Sequence, residues 1–261
     1  MSDYDLIAPF YDREHAPFDE DIELYRSFAE LCTGPLLELA CGSGRIGLEL
    51  LHSPGNFTLE GLDLDAGMLA SYQRKLARET EETQQRVTLH EGDMCDYNLP
   101  HKGTFDLVIL PFNSICHLYE IEQQLAAFRT TYEHLALGGR FVVDTFLPDI
   151  DYLSDALNRP SHVYLEDELE DPNGEFTMLI YTTRKYDPHE QNQHLTWIHE
   201  KFFETGEHER YLSRLDMHLF FPRELQMLFL ATGFSIEAIY GDYLWKPFGS
   251  GTRQIVVGRK R

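Results

Sequence analysis

Three glycines in the stretch LLELACGSGRIGLEL, residues 36–50, stand at the spacing Gly42-x-Gly44-x-x-Gly47. Read literally, this is the fingerprint of a turn that carries a dinucleotide, because glycine lets the backbone turn tightly and come close to a ligand. Glu38 precedes Gly42 by four residues, at the end of a run that reads as a buried strand. Two more acids follow in comparable places. Asp63 lies 21 residues after Gly42, the spacing of a carboxylate that accepts ribose hydroxyls. Asp93, in EGDM, can accept from the amino group of a base while the Met94 N–H donates to its ring.

Such residues act together only if strand ends bring them together. From about residue 35 to 146, short apolar runs (PLLELA, FTLEGLDL, RVTLHEGD, FDLVILPF, GGRFVVDTF) read as strands. The segments between them (GRIGLELLH, AGMLASYQRKLARE, EIEQQLAAFRTTYEHLA) carry apolar residues at helical spacing. ALGG is expected to end the last of these helices with glycine. The alternation predicts an α/β fold: a doubly wound, Rossmann-like parallel sheet covered by helices on both faces. After Pro148 the pattern becomes period two: HVYLEDELE, FTMLIYTTRKYD, QHLTWIHEKFFE and RYLSRLDMHLFF, with a hairpin signal at DPNG. Residues 149–219 therefore read as an inserted antiparallel β cap. PRELQMLFLATGF returns to helix, with Pro222 in its first turn and Gly233 at its end, and SIEAIYGD and TRQIVVGRK supply two final strands. Residues 1–148 and 220–261 are expected to form the ligand-binding α/β domain.

Composition narrows the partners. The 261 residues are 43% hydrophobic and 13% aromatic, enough for a sizeable core. There are 44 Asp plus Glu against 22 Lys plus Arg, a formal charge of -22. No nucleic acid partner is expected, since phosphate binding needs clustered Lys and Arg. The four cysteines lack metal-ligand spacing or a disulfide pattern. The acidic amino terminus does not read as a signal peptide, and runs such as LVILPF are far too short to span a bilayer. A cytoplasmic monomer or homodimer with no membrane partner is the expectation.

The strand-end acids leave NAD and S-adenosylmethionine (SAM) open, and two features favour SAM. A carboxylate at Glu38 attracts an ammonium and a sulfonium, or orders the loop by accepting backbone N–H bonds. Against a pyrophosphate it would cost on the order of 1–4 kcal/mol at 4 Å. Asp93, after the third strand, supplies the second feature. With these motifs in order, the chain resembles the class I SAM-dependent methyltransferases. ELACGSG resembles their acid-x-Gly-x-Gly-x-Gly loop, with the small Ala40 in place of the first glycine. GLDLDAGML resembles the ribose-binding strand end, GDM the adenine contact, FDLVILPFNSICHL the fourth strand and HLALGGRFVVDTF the fifth, with Leu137 where proline is usual. The resemblance covers residues 1 to about 148 and 220–261. It implies a seven-stranded sheet whose final two strands are an antiparallel addition. It also implies a SAM site made by Tyr11, Glu38, Ala40, Gly42, Gly44, Asp63, Leu64, Asp93, Met94 and Leu110.

Methyl transfer from a sulfonium is an in-line displacement, so the tasks are alignment and removal of a proton from the acceptor. The fourth strand ends in ILPFNSICHL, not in the Asn/Asp-Pro-Pro-Tyr motif of enzymes acting on planar nucleobase or amide nitrogens. His117, just beyond it, can take a proton near neutral pH. Within the superfamily the chain looks most like small-molecule N-methyltransferases, including those acting on amino sugars. These pair an amino-terminal YD tyrosine with a histidine after the fourth strand, and Tyr11 and His117 match those positions. The resemblance thus implies a small-molecule methyl acceptor, an amine in preference to a hydroxyl, with Tyr11 and His117 catalytic. No metal is expected: His194 and His199, five apart on a predicted strand, face opposite sides. Tyr164, Met178, Tyr181, Trp197 and Phe203 are candidates to line the acceptor pocket under the insert. The alternatives are an NAD-linked oxidoreductase, from the glycine spacing alone, and a non-catalytic SAM-binding regulator.

Overall fold

Burial of the apolar runs dictates the architecture. The computed structural model describes residues 18–171 and 174–261. Its first half alternates helix and strand: α1 (Ile22–Ala29), β1 (Leu36–Leu39), α2 (Arg45–Leu51), β2 (Leu59–Asp63), α3 (Ala66–Leu76), α4 (Glu81–Gln85), β3 (Val87–Glu91) and β4 (Phe105–Leu110). A 3-10 turn at Ser114–His117 leads to α5 (Ile121–His134) and β5 (Leu135–Phe146). The insert then supplies α6 (Ile150–Asn158) and strands β6 (Val163–Glu170), β7 (Phe176–Asp187), β8 (Asn192–Phe203) and β9 (His208–His218). The chain closes with α7 (Pro222–Ala231), β10 (Ser235–Tyr240) and β11 (Arg253–Arg259).

Seven strands form one sheet in the order β10-β11-β5-β4-β1-β2-β3. Strands β1 to β5 are mutually parallel. Only β11 runs against them, antiparallel to both β5 and β10. The expectation of two antiparallel final strands is thereby corrected, because β10 points the same way as the parallel set. Strand order reverses between β1 and β4, and in open α/β sheets this switch point is where ligands bind, at the carboxyl ends of the strands.

Both faces of the sheet are covered, as the continuous apolar runs demand. Ile22, Leu24 and Phe28 of α1 and Ile46 and Leu50 of α2 pack with Leu36, Leu59, Leu107, Ile109 and Val142 of the sheet. On the other face Phe128 of α5 meets Phe141 of β5 and Phe229 of α7, with ring centroids 5.0 and 4.9 Å away at near-perpendicular angles. Helix ends follow the local chemistry. Asp65 caps α3 by accepting from Gly67 and Met68 N–H, and Pro222 opens α7, with Gly233 (φ 99°) just past its end. The glycines of ALGG act otherwise than expected. Helix α5 ends at His134, whose Nε2 accepts from Leu99 N–H and whose carbonyl accepts from Gly103 N–H. The chain is already extended at Leu135, which pairs with Phe105. Gly139 sits inside β5, where a Cβ would lie 2.8 Å from the Phe105 carbonyl oxygen.

Residues 148–219 form a compact unit distinct from the one made by residues 18–147 and 220–261. The former is a four-stranded antiparallel sheet, β6-β7-β8-β9, with α6. Helix α6 lies where the alternating pattern predicted only strand; its signal is the cap residue Asp149, which accepts from Asp151 and Tyr152 N–H. Register separates the aromatic candidates. Trp197 pairs with Thr182, which pairs with Tyr164, so these share a face with Met178 and Phe203. Tyr181 pairs with Leu165 and Ile198 on the opposite face. The two ends of the insert are tied within the seven-stranded unit, where Gln254 Nε2 donates to the carbonyls of both Phe146 and Phe220. Among the described residues no helix is long and apolar enough to cross a membrane. Truncating Phe128 to alanine should open a cavity between α5, α7 and β5 and cost about 3–5 kcal/mol in a urea titration.

Candidate functional site

The glycine loop is held by the strand next to it. Ala40 (φ 54°), Gly42 (φ 54°) and Gly44 (φ 83°) are all left-handed. Ala40 thus stands where a glycine would be unstrained. What matters there is its Cβ rather than its bulk, at about 1–2 kcal/mol. Cys41 N–H donates to the Leu62 carbonyl, and Gly42 N–H donates to Asp63 Oδ2 at 2.7 Å. The other oxygen of Asp63 accepts from Asp65 N–H at 2.8 Å. Asp63 therefore ties the loop after β1 to the loop after β2, and its carboxylate keeps lone-pair capacity for a further donor. Burial raises its pKa, against the opposing pull of these N–H groups. Among the described residues, a Cβ built on Gly42 would meet no atom within 4 Å, so they leave open space beside the loop. Leu64, next to Asp63, is 72% exposed.

Glu38 lies on the inner side of this loop. It is 2% exposed and shares the face of β1 on which Leu36 packs against α1 and α2. Burial pushes its carboxyl up to about 8, with Asp63 and Asp21 acting in the same direction and Arg45 and the Gly47 N–H opposing. Burial thus favours the protonated form near neutral pH, which weakens discrimination against a pyrophosphate by charge. Of its two expected roles, ordering the loop through Gly47 N–H is the one this burial favours. Gly47 must be glycine, since a Cβ there would collide with both the Tyr72 hydroxyl and Glu38 Oε2.

Asp93 is exposed after β3, its Oδ1 accepting from Cys95 N–H at 2.8 Å, and Met94 beside it is half-buried. Leu110 ends β4 with its side chain fully buried, which leaves only its main chain for contact. His117 closes the 3-10 turn beyond β4, half-buried, and burial lowers its imidazole below the usual histidine pKa. Glu38, Ala40, Gly42, Gly44 and Asp63 thus form one cluster at the carboxyl ends of β1 and β2. Asp93 and Met94 follow β3 and His117 follows β4, flanking it in strand order. Tyr11 lies outside the described residues.

Several residues beneath this site escaped the sequence reading. Arg45, the first residue of α2, pairs bidentately with fully buried Asp21 at 2.8 and 2.6 Å. Asp144 of β5, also fully buried, accepts from Arg253 Nε and the Tyr243 hydroxyl, each at 2.7 Å. A lone acid inside the apolar run FVVDTF, and a base at a helix start where the macrodipole disfavours it, were the available signals.

A mostly parallel sheet with a left-handed glycine loop at its switch point and acids after the next two strands is the arrangement in which α/β domains bind nucleotides. Residues 36–139 match the family model of a methyltransferase domain. The chain is 34% identical over 143 residues to the dTDP-3-amino-3,4,6-trideoxy-alpha-D-glucopyranose N,N-dimethyltransferase of Streptomyces venezuelae, covering 54% of each. It spans about half the length of the curated relatives it matches. In structure it is similar to the CcbJ methyltransferase from Streptomyces caelestis, with TM-score 0.76, 23% identity and coverage of 93% of this chain and 89% of that one. It is also similar to Streptomyces venezuelae DesVI, with TM-score 0.72, 22% identity and coverage of 100% and 99%. Residues 36–139 thus match a methyltransferase domain, and the chain has the Rossmann-like fold of the methyltransferase structures it resembles.

The state of Glu38 gives a pH signature. A carboxyl raised from about 4.5 in the unfolded chain to about 8 in the fold favours folding fully below 4.5, and that advantage is lost as pH rises through 8. The loss is on the order of 5 kcal/mol. Glu38→Gln keeps the acceptor for Gly47 N–H without the titration. Chemical denaturation between pH 5 and 9 should therefore show the variant gaining on the wild type as pH rises. A constant difference would place the carboxyl in water.

Proposed function

We propose that the protein transfers a methyl group from SAM to a small-molecule acceptor, at an amine nitrogen. The observation that carries this reading is the placing of the loop bound to Asp63 on one side of the switch point and His117 on the other. The residues present fit the cofactor. Gly42 leaves open space, Asp63 has lone pairs for ribose hydroxyls, exposed Leu64 offers an apolar surface to a base, and Asp93 can accept from its amino group. When bound, SAM supplies an electrophilic methyl carbon on a sulfonium.

The remaining work falls to this chain. An amine reaches the site mainly as ammonium and has no lone pair until a proton leaves. A net charge of -22 concentrates such a cation but opposes its deprotonation, so a base is needed. His117, with its pKa lowered by burial, is neutral at pH 7 and can receive that proton at an imidazole nitrogen. The preference for nitrogen is supported by the name of the Streptomyces venezuelae relative, an N,N-dimethyltransferase acting on an amino sugar nucleotide. Tyr11 is proposed to join the site from the amino-terminal segment.

Calorimetry should show SAM binding and little affinity for NAD; the reverse would favour an oxidoreductase. Asp63→Ala removes charge-assisted bonds worth about 1.5–3 kcal/mol. SAM affinity should fall at least about tenfold while circular dichroism stays unchanged, and unaltered binding would sink the assignment. His117→Ala should lower turnover by roughly 10²–10⁴ with SAM affinity nearly intact. In the wild type, activity should fall as pH drops through a midpoint below about 6.5, because burial depresses the imidazole. That limb should vanish in the variant; if it persists, another group is the base. Binding of SAM with no turnover of any amine would point to a regulator.

A further inference from the structure

The turn that carries His117 begins with two non-glycine residues in a conformation that few side chains adopt. Phe112 (φ 52°) and Asn113 (φ 63°) are both left-handed. Such a conformation persists where its surroundings impose it. Phe112 N–H donates to Asp144 Oδ2 at 3.2 Å, and Asn113 N–H donates to the Asp144 carbonyl at 3.0 Å. The side-chain oxygen of Asn113 accepts twice, from Phe146 N–H and from Arg253 Nη2, both at 2.9 Å. Arg253 Nε in turn donates to Asp144 Oδ1 at 2.7 Å. A closed ring of bonds thus joins the end of β4 to β5 and β11. From the other direction the Arg45 guanidinium lies 4.7 Å from the Phe112 ring while paired with Asp21. The Asn113 carbonyl accepts from Cys116 N–H at 2.8 Å, so the turn ending in His117 hangs from Asn113.

We propose that Asn113 is the positioning residue for His117: its side-chain oxygen, gripped by Arg253 and Phe146 N–H, fixes the backbone that aims the imidazole. The catalytic consequence rests on the reading of His117 as the base, whereas the geometric consequence does not. Asn113 suits the role chemically. Asparagine tolerates the left-handed region better than most residues, and both lone pairs of its oxygen are used. A guanidinium suits the place opposite it, because its planar fork reaches Asp144 and Asn113 at once in a fixed geometry.

The test uses the full chain and two variants. Asn113→Gly accepts the same φ without steric cost but deletes the oxygen. Arg253→Lys keeps a positive charge but loses the rigid planar fork that holds the two acceptors in one geometry. Both should bind SAM about as tightly as the wild type. Both should lose about 10- to 100-fold in kcat, the scale set by a displacement of roughly 1 Å. In the ligand-free protein, the His117 imidazole resonances in nitrogen–proton correlation spectra should move. A folded variant with unmoved His117 resonances overturns the proposal, whether or not kcat falls, since any loss would then not run through His117. Unaltered kcat with moved resonances overturns the catalytic part. If Asn113→Gly fails to fold, Arg253→Lys decides. A wild type that transfers no methyl group refutes the functional reading alone, because the resonances still report on the geometry.

Discussion

Two carboxylates, Asp21 and Asp144, have no exposure to solvent, and the layout of the site follows from pairing them. A buried charge without a partner costs several kcal/mol, so each must find a cation wherever the chain can supply one. Asp21 takes Arg45, 24 residues on, and Asp144 takes Arg253, 109 residues on. The first pair ties the start of α1 to the residue that follows Gly44. The second ties β5 to β11, which is why the last strand must lie beside β5 and cannot slip. Between them stand the Phe112 ring and the Asn113 amide.

Uncharged burial does the rest. Glu38 is kept protonated rather than paired, because Arg45 is already committed to Asp21 and the surroundings of β1 are apolar. The loop above it consequently presents backbone, not charge, to a ligand. Asp63 is the acid that remains half-exposed, and it is held by two N–H groups on the lip of that loop.

The sheet was legible in the sequence because its strands are short apolar runs bounded by turns, and each run appears in the fold within a few residues. The strand-end acids were legible for the same reason. Other features depend on contacts that no local pattern encodes. The direction of β10 is decided by its pairing with β11. The end of α5 is decided by His134 meeting Leu99, where glycines alone suggested a later stop. Helix α6 was masked by the alternating composition that follows it. At the site, Glu38, Asp63 and His117 could be named from spacing, but not that Glu38 is buried beneath the loop. The partners of Asp144 lie on segments whose proximity is a product of the fold.

The side chain of Gln254 has a consequence for how such a chain can change. One buried amide nitrogen gathers the last carbonyl oxygen of β5 and that of Phe220, so the boundaries of the inserted sheet converge on a single point of the α/β scaffold. The scaffold therefore experiences the insert as a closed loop. The entropy of closing a loop rises by only about 0.6 kcal/mol for each doubling of its length. In loop-closure entropy alone, a longer or shorter insert therefore costs the scaffold little. A lineage or a protein engineer could thus change the length of the insert while leaving the hydrogen bonds around Asp144 intact.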